Sequence, residues 1–172
     1  MCGNDTIDDR PVEQRVGDRL RGREEFVAVA ESATGGLVGS LLTDVPGSSA
    51  YFDRSVVTYS NDAKQDVLAV SREALDEFGA VSPEVVREMA RGIRDMAGVT
   101  WGVATSGIAG PDGGTEEDPV GTVYVAVAYG APWGTGASTV TTERYEFDGD
   151  RDACKEQFSQ QALEDLLVAI EG

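Results

Sequence analysis

The chain has 172 residues, enough for one domain with its own core, and 41% of them are hydrophobic. Its formal net charge is −17, from 31 acidic against 14 basic residues, so neither nucleic acid nor a membrane is an expected partner. The acidic residues are spread along the whole chain and lysine is almost absent, which indicates a high-salt cytoplasm as the setting.

The residue types also limit the chemistry. Histidine is absent, which excludes Ser-His-Asp and Cys-His catalysis. Cys2 and Cys154 lie at opposite ends of the chain, so we expect no metal site, and nothing in the sequence calls for a cofactor. No apolar run has the length of a membrane span, and the N-terminus has no hydrophobic signal segment. We therefore expect a single cytoplasmic domain over residues 1–172, with residues 1–10 as a flexible extension.

The first part of the chain predicts helices that alternate with strands. Val12, Val16 and Leu20 repeat at helical spacing after Pro11, and residues 25–32 form a short apolar run that predicts a strand. A glycine turn and a helix follow. Residues 50–60 are predicted to be extended, and two short helices begin at residues 61 and 72.

The second part continues the pattern. Ser82 and Pro83 begin a helix with a clear apolar face, and residues 101–110 predict a buried strand that runs into a glycine loop. Residues 120–129 predict a strand in a central position, because the run is apolar throughout. Residues 138–147 alternate like an edge strand, and a long helix closes the chain. The order predicts a three-layer α/β/α sandwich with a mixed, mostly parallel sheet.

Two glycine-rich segments that follow predicted strands are candidate ligand loops. The first contains Ser32, Thr34, Gly35 and Gly36, whose hydroxyls and amides could meet an anion at a helix start, or could simply form a capped turn. The second, residues 105–114, is either a ligand loop or a long crossover connection. Its candidate substrate-binding residues are Ser106, Gly107, Gly110, Asp112 and Gly113. Asp112 suits a ribose hydroxyl or a local turn.

A third segment, residues 46–64, carries a possible nucleophile and base. Without histidine, a neutral lysine is the best remaining base for a serine, and Lys64 stands near the start of a predicted helix. Ser48 or Ser49 would be the nucleophile, and the Tyr59 hydroxyl would relay the proton or hold the lysine.

The alternative hypothesis is that Lys64 has only a structural role. Its amine would then pair with Asp62 or Asp66 on a solvent-exposed helix face. The near absence of lysine elsewhere in the chain favours the hypothesis that Lys64 is the catalytic base.

Three stretches in the correct order, residues 30–64, 79–90 and 105–128, resemble the CinA C-terminal domain, the nicotinamide-nucleotide amidase family. The resemblance extends over roughly residues 16–167. It implies hydrolysis of nicotinamide mononucleotide to nicotinic acid mononucleotide and ammonia, in pyridine nucleotide salvage, without a cofactor. It also implies that the catalytic residues are Ser49, Tyr59 and Lys64.

The resemblance also suggests how the substrate is held. The two glycine loops and Ser48 would contact the nucleotide, and Arg54 or Arg151 would neutralise its phosphate. The sequence departs from the family pattern at Ala33, where cysteine is usual, and at Lys155, where arginine is common. We expect a stand-alone domain that forms a homo-oligomer. The alternatives are a non-catalytic nucleotide-binding module of the same fold and a purely structural oligomerisation domain.

Overall fold

A computed structural model of the chain describes residues 8–172. Within these residues, five strands form one sheet, and six helices cover its two faces. The strands are β1 (Val27–Glu31), β2 (Phe52–Val57), β3 (Trp101–Gly107), β4 (Thr122–Tyr129) and β5 (Thr139–Glu146). The helices are α1 (Val12–Arg23), α2 (Leu37–Thr43), α3 (Asn61–Leu68), α4 (Arg72–Phe78), α5 (Pro83–Ala97) and α6 (Arg151–Glu171). A single 3₁₀ turn, Ser48–Ala50, precedes β2.

The sheet is mixed, as predicted. Its strand order is β2-β1-β3-β4-β5; β1 pairs parallel with both β2 and β3, and the β3–β4 and β4–β5 pairs are antiparallel. Four strands therefore point in one direction and β4 alone runs against them. The apolar β4 lies inside the sheet, but the middle position belongs to β3. The alternating strand β5 is an edge strand with an antiparallel partner, which confirms the prediction.

The two faces of the sheet bury separate clusters of apolar side chains. On one face, the valines of β1, β3 and β4 pack against α1, α2 and α6. On the other face, small residues such as Ala28, Ala30 and Ala104 allow α5 to pack closely on the strands, together with α3 and α4. These are the three layers of the predicted sandwich.

Side chains at helix starts fix where each helix begins. Ser60, Ser71, Ser82 and Asp150 accept hydrogen bonds from backbone N–H groups at the N-termini of α3, α4, α5 and α6. The cap at Ser60 confirms the predicted helix start at residue 61. Because α3 starts directly after β2, its first turn lies at the carboxyl edge of the parallel strands, where α/β proteins place their sites.

The predicted N-terminal extension falls mostly on residues 1–7, which lie outside the described residues. Residues 8–10 precede α1 without regular structure, and Arg10 pairs there with Asp8 and Asp18. None of the helices in residues 8–172 combines the length and the apolar composition that a membrane span requires.

Candidate active site

Lys64 lies inside the protein at the carboxyl edge of the sheet, with only 1% of its surface exposed. Its Nζ is 2.8 Å from the carbonyl oxygen of Thr58, 3.3 Å from that of Tyr59 and 3.3 Å from Oγ of Ser32. Burial lowers the pKa of Lys64 below its ordinary value, because the charged amine loses its hydration.

These three contacts suit both protonation states of the amine. A charged amine has three N–H bonds and donates one to each of the three oxygens. A neutral amine keeps two N–H bonds for the two carbonyl oxygens, and its lone pair is then left for the hydroxyl of Ser32. The alternative that Lys64 pairs with Asp62 or Asp66 on an exposed face is wrong, because the amine is buried and its partners are a hydroxyl and two carbonyls.

Ser32 follows directly after the buried strand β1 and is half-buried. Its N–H donates to the carbonyl oxygen of Thr105 at 3.1 Å, which ties it to the end of the neighbouring parallel strand β3. The sequence predicted Ser32 as a substrate-binding residue. The structure places its hydroxyl beside the buried amine of Lys64, where a nucleophile would lie.

The structure does not bring Ser49 to Lys64 within one chain, which corrects the expected pairing. Ser49 lies in the 3₁₀ turn before β2, whereas Lys64 contacts the carbonyl of Thr58 just after it. β2 has six residues, and a strand rises about 3.3 Å per residue, so the two sites lie roughly 17 Å apart along the strand. Ser48 occupies the same turn and is equally distant.

The backbone carbonyl and the side-chain hydroxyl of Tyr59 contact different residues. Its backbone carbonyl accepts a hydrogen bond from Lys64 Nζ, while its hydroxyl accepts one from Nη2 of Arg151 at 3.3 Å. The side chain is 63% exposed and borders the cavity described below. The Tyr59 hydroxyl thus contacts Arg151, and within residues 8–172 it forms no hydrogen bond with Lys64 that would support the expected proton relay.

The first glycine turn is used differently from the prediction. The Thr34 hydroxyl is buried and donates to the carboxylate of Glu31 at 2.7 Å, and the N–H of Gly36 donates to the same carboxylate at 2.9 Å. Neither group is therefore free for a substrate anion. Gly35 is exposed, with a φ of 60°, and its N–H closes the turn on the carbonyl of Ser32.

The second glycine loop forms most of the wall of a cavity of about 150 Å³, which neither Ser32 nor Lys64 lines directly. Two of its lining residues are neighbours of the Ser32–Lys64 pair: Ala33 follows Ser32 in the chain, and the carbonyl of Tyr59 accepts a hydrogen bond from Lys64. The remaining lining residues come from the loop and from the start of α6: Gly107, Ile108, Ala109, Gly110, Asp112, Gly113 and Arg151. Five of the predicted substrate-binding residues thus line one cavity.

Two other predicted contacts lie elsewhere. Arg54 stands in the middle of β2 and pairs with Asp53, away from the cavity. Ser106 is buried, and its hydroxyl donates to the carbonyl of Ala80 at 2.7 Å. Neither side chain has a role in the cavity wall.

Two cations on the first turns of α6 face this region. Nη1 of Arg151 donates to the carbonyl oxygen of Gly110 at 2.5 Å. Nζ of Lys155 lies so close to Gly35 that a Cβ added to this glycine would be 3.5 Å from it. Arg151 donates only to a carbonyl and a hydroxyl, and Lys155 forms no ion pair within residues 8–172. Both can therefore attract an anion.

Sequence reasoning missed Glu31, Ala33, Ile108 and Ala109. A signal existed for Glu31, because a single carboxylate ends an otherwise apolar strand just before a glycine turn. The described residues 8–172 contain no group of three or more Cys, Asp or Glu side chains arranged to hold a metal ion.

The fold and the site define the class of this protein: a three-layer α/β domain with a buried lysine against a serine at the carboxyl edge of its parallel strands. Residues 9–170 match the family described as the CinA C-terminal domain, and the chain belongs to that family.

Individual relatives agree with this assignment. The Escherichia coli protein named nicotinamide-nucleotide amidohydrolase PncC is 48% identical over 153 residues, which cover 89% of each chain. The crystal structure of a CinA superfamily protein from Klebsiella pneumoniae is 36% identical, with a TM-score of 0.85 over 93% of this chain and 96% of that one.

Some relatives are much longer than this chain. A CinA-like protein from Chlorobium limicola is 45% identical over 163 residues, which are 95% of this chain but 38% of that protein. The chain therefore spans about two fifths of the length of such relatives.

Proposed function

We propose that the protein is an amidohydrolase that converts nicotinamide mononucleotide to nicotinic acid mononucleotide and ammonia, with Ser32 as nucleophile and Lys64 as base. The observation that carries this proposal is the 3.3 Å contact between Lys64 Nζ and Ser32 Oγ inside a buried environment. The substrate is inferred from the similarity to the Escherichia coli protein PncC, which is named as a nicotinamide-nucleotide amidohydrolase.

The reaction proceeds in two halves. Neutral Lys64 accepts the hydroxyl proton of Ser32 as Oγ attacks the carboxamide carbon, and the proton then passes to the departing nitrogen, which leaves as ammonia. A water molecule next attacks the acyl group, with Lys64 again accepting the proton and returning it to Oγ of Ser32. Nicotinic acid mononucleotide is released and the serine is restored.

The turn after Ser32 supplies candidate donors for the oxyanion. The backbone N–H groups of Ala33 and Thr34 donate to no acceptor within residues 8–172, although both residues are buried. Such free N–H groups next to a nucleophile can stabilise the negative charge that develops on the carbonyl oxygen. The structure thus supports an oxyanion site made of two consecutive amides.

The cavity and the cations fit the two ends of the substrate. A volume of about 150 Å³ is small against the roughly 300–1,000 Å³ of pockets that enclose a drug-sized ligand, so we place only the nicotinamide ring there. Asp112 lies in the wall, where it can accept a ribose hydroxyl. Arg151 and Lys155 would bind the phosphate, and Tyr59 would cover the ring.

The decisive experiment measures ammonia release from nicotinamide mononucleotide by the purified protein in molar potassium chloride. We expect turnover by the wild type and none above background from Ser32→Ala or Lys64→Ala. Tight binding of the nucleotide without ammonia over hours would favour the non-catalytic binding module instead. Circular dichroism of both variants checks that the fold is retained.

The setting of the protein is part of the same proposal. Deamidation of a pyridine nucleotide belongs to nucleotide salvage in the cytoplasm, and the net charge of −17 suits a high-salt cytoplasm. We also propose a homo-oligomer, because the small cavity leaves most of a nucleotide uncovered. Light scattering in high and low salt measures the oligomeric state.

A further inference from the structure

Glu31 is a fully buried carboxylate that the catalytic proposal does not use. It is the last residue of β1, directly before Ser32, and none of its surface is exposed. No arginine or lysine in residues 8–172 pairs with it; its partners are hydroxyl and backbone N–H groups. An uncompensated buried charge is costly, so its presence calls for an explanation.

Five hydrogen bonds compensate the charge. The hydroxyls of Thr34 and Ser55 donate at 2.7 and 2.6 Å, and the backbone N–H groups of Gly36, Val38 and Gly39 donate at 2.9, 3.1 and 2.9 Å. The three amides are at the N-terminus of α2, whose positive end favours an anion. The carboxylate therefore joins the glycine turn, α2 and the neighbouring strand β2 at one point.

The same bonds fix the residues that follow Ser32. Because the Thr34 hydroxyl gives its hydrogen to Glu31, the Thr105 hydroxyl must donate in the 2.9 Å contact between the two threonines. Thr34 is thus held from two sides, by β1 and by β3. Its own N–H and that of Ala33, the candidate oxyanion donors, lie in this immobilised turn.

We infer that Glu31 is a positioning residue, whose buried carboxylate holds Ser32 and the amides of Ala33 and Thr34 in place for the developing oxyanion. This inference rests on the proposed function. Preorganised donors stabilise a transition state because they need no rearrangement as the charge forms. Glu31 occupies the N-terminus of α2 itself, so the substrate phosphate is bound by other groups.

Glu31→Gln tests the inference, because it keeps the shape but replaces one acceptor oxygen with an NH₂ group. We expect kcat to fall on the order of 100-fold, the range observed for loss of an oxyanion donor, with KM changed by less than about threefold. The pH profile should keep its midpoint, because the contacts of Lys64 are untouched. Thr34→Val should lower kcat in the same way, and Thr34→Ser, which keeps the hydroxyl, should restore it.

Glu88→Gln is the matched control. Glu88 accepts hydrogen bonds from the N–H and Oγ of Ser71, at 2.6 and 3.0 Å, at the N-terminus of α4, a different helix start from the one that Glu31 contacts. It should lower the thermal midpoint and leave kcat per folded molecule unchanged. If Glu31→Gln retains wild-type kcat, or loses activity only in proportion to its unfolded fraction as Glu88→Gln does, the inference is overturned.

A second measurement separates this inference from the choice of substrate and also serves if Glu31→Gln fails to fold. An alkyl fluorophosphonate forms a bond between Ser32 Oγ and phosphorus as the P–F bond breaks, fluoride leaves and the hydroxyl proton passes to Lys64. We expect labelling of Ser32 in the wild type and labelling at least about tenfold slower in Thr34→Val. If the wild type is labelled at least about tenfold faster than Thr34→Val but releases no ammonia, the proposed substrate is wrong and the role of Glu31 stands. Equal labelling of both proteins, or none of the wild type, contradicts it.

Discussion

The choice between two serines gives the sharpest test of the catalytic proposal. Ser32 Oγ lies 3.3 Å from the amine of Lys64, while Ser49 is separated from that amine by the length of β2, roughly 17 Å. Direct proton transfer needs heavy atoms about 2.6–3.2 Å apart, and a small movement meets that condition only for Ser32. We therefore compare Ser32→Ala with Ser49→Ala.

The expected magnitudes differ by several orders. Loss of a serine nucleophile lowers kcat on the order of 10⁴- to 10⁶-fold, or about 5 to 8 kcal/mol of transition-state stabilisation. Ser49 is exposed in a surface turn, so Ser49→Ala should change kcat by less than about threefold. Neither change should lower the free energy of unfolding by more than about 1–2 kcal/mol, because at most one hydrogen bond is lost.

The assay is the initial rate of ammonia release over a range of substrate concentrations, with equal folded fractions confirmed by thermal unfolding. Ser32→Thr serves as a matched variant that keeps a hydroxyl in a more crowded side chain. A large loss of kcat in Ser49→Ala, or wild-type turnover in Ser32→Ala, would refute the reasoning. The first result would mean that the Ser49 of a second copy reaches Lys64.

Four further predictions follow from the site and the charge. The rate should rise with pH as Lys64 loses its proton, with a midpoint below the ordinary lysine pKa of 10.5, and Lys64→Arg should abolish this limb. Because the pKa of Lys64 is lower in the folded than in the unfolded protein, the unfolded chain binds more protons at pH values between the two pKa values. The free energy of unfolding of the wild type, relative to that of Lys64→Met, should therefore rise with pH in this window and stay constant below it. Urea unfolding at a series of pH values measures this difference. Arg151→Ala should raise KM for the mononucleotide at least about tenfold but leave KM for the phosphate-free riboside nearly unchanged, and equal effects on both amides would argue against a phosphate contact. The free energy of unfolding should rise as potassium chloride is increased to 1 M, because salt screens the repulsion of a chain with net charge −17; no dependence on salt would contradict the halophilic interpretation.

Local signals in the sequence were sufficient for most of the fold. Apolar periodicity located the helices and strands, and the serine and proline at Ser82 and Pro83 defined the start of α5. The resemblance of three motifs was sufficient to predict the family, and the match of the family to residues 9–170 confirms that prediction. The unusual lysine was also a sound guide, because Lys64 is buried at the carboxyl edge of the sheet.

The partner of Lys64 was decided by the tertiary structure. Ser49 is nearer in sequence than Ser32, but a strand separates it from Lys64, and an extended chain moves the two ends apart. Ser32 follows β1, which runs parallel to β2, so the carboxyl ends of the two strands bring Ser32 and Lys64 to the same edge. The sequence by itself determined which elements form and which residue types could react. Only strand order and direction decided which of those residues meet, because contacts between distant segments depend on how the whole sheet is assembled.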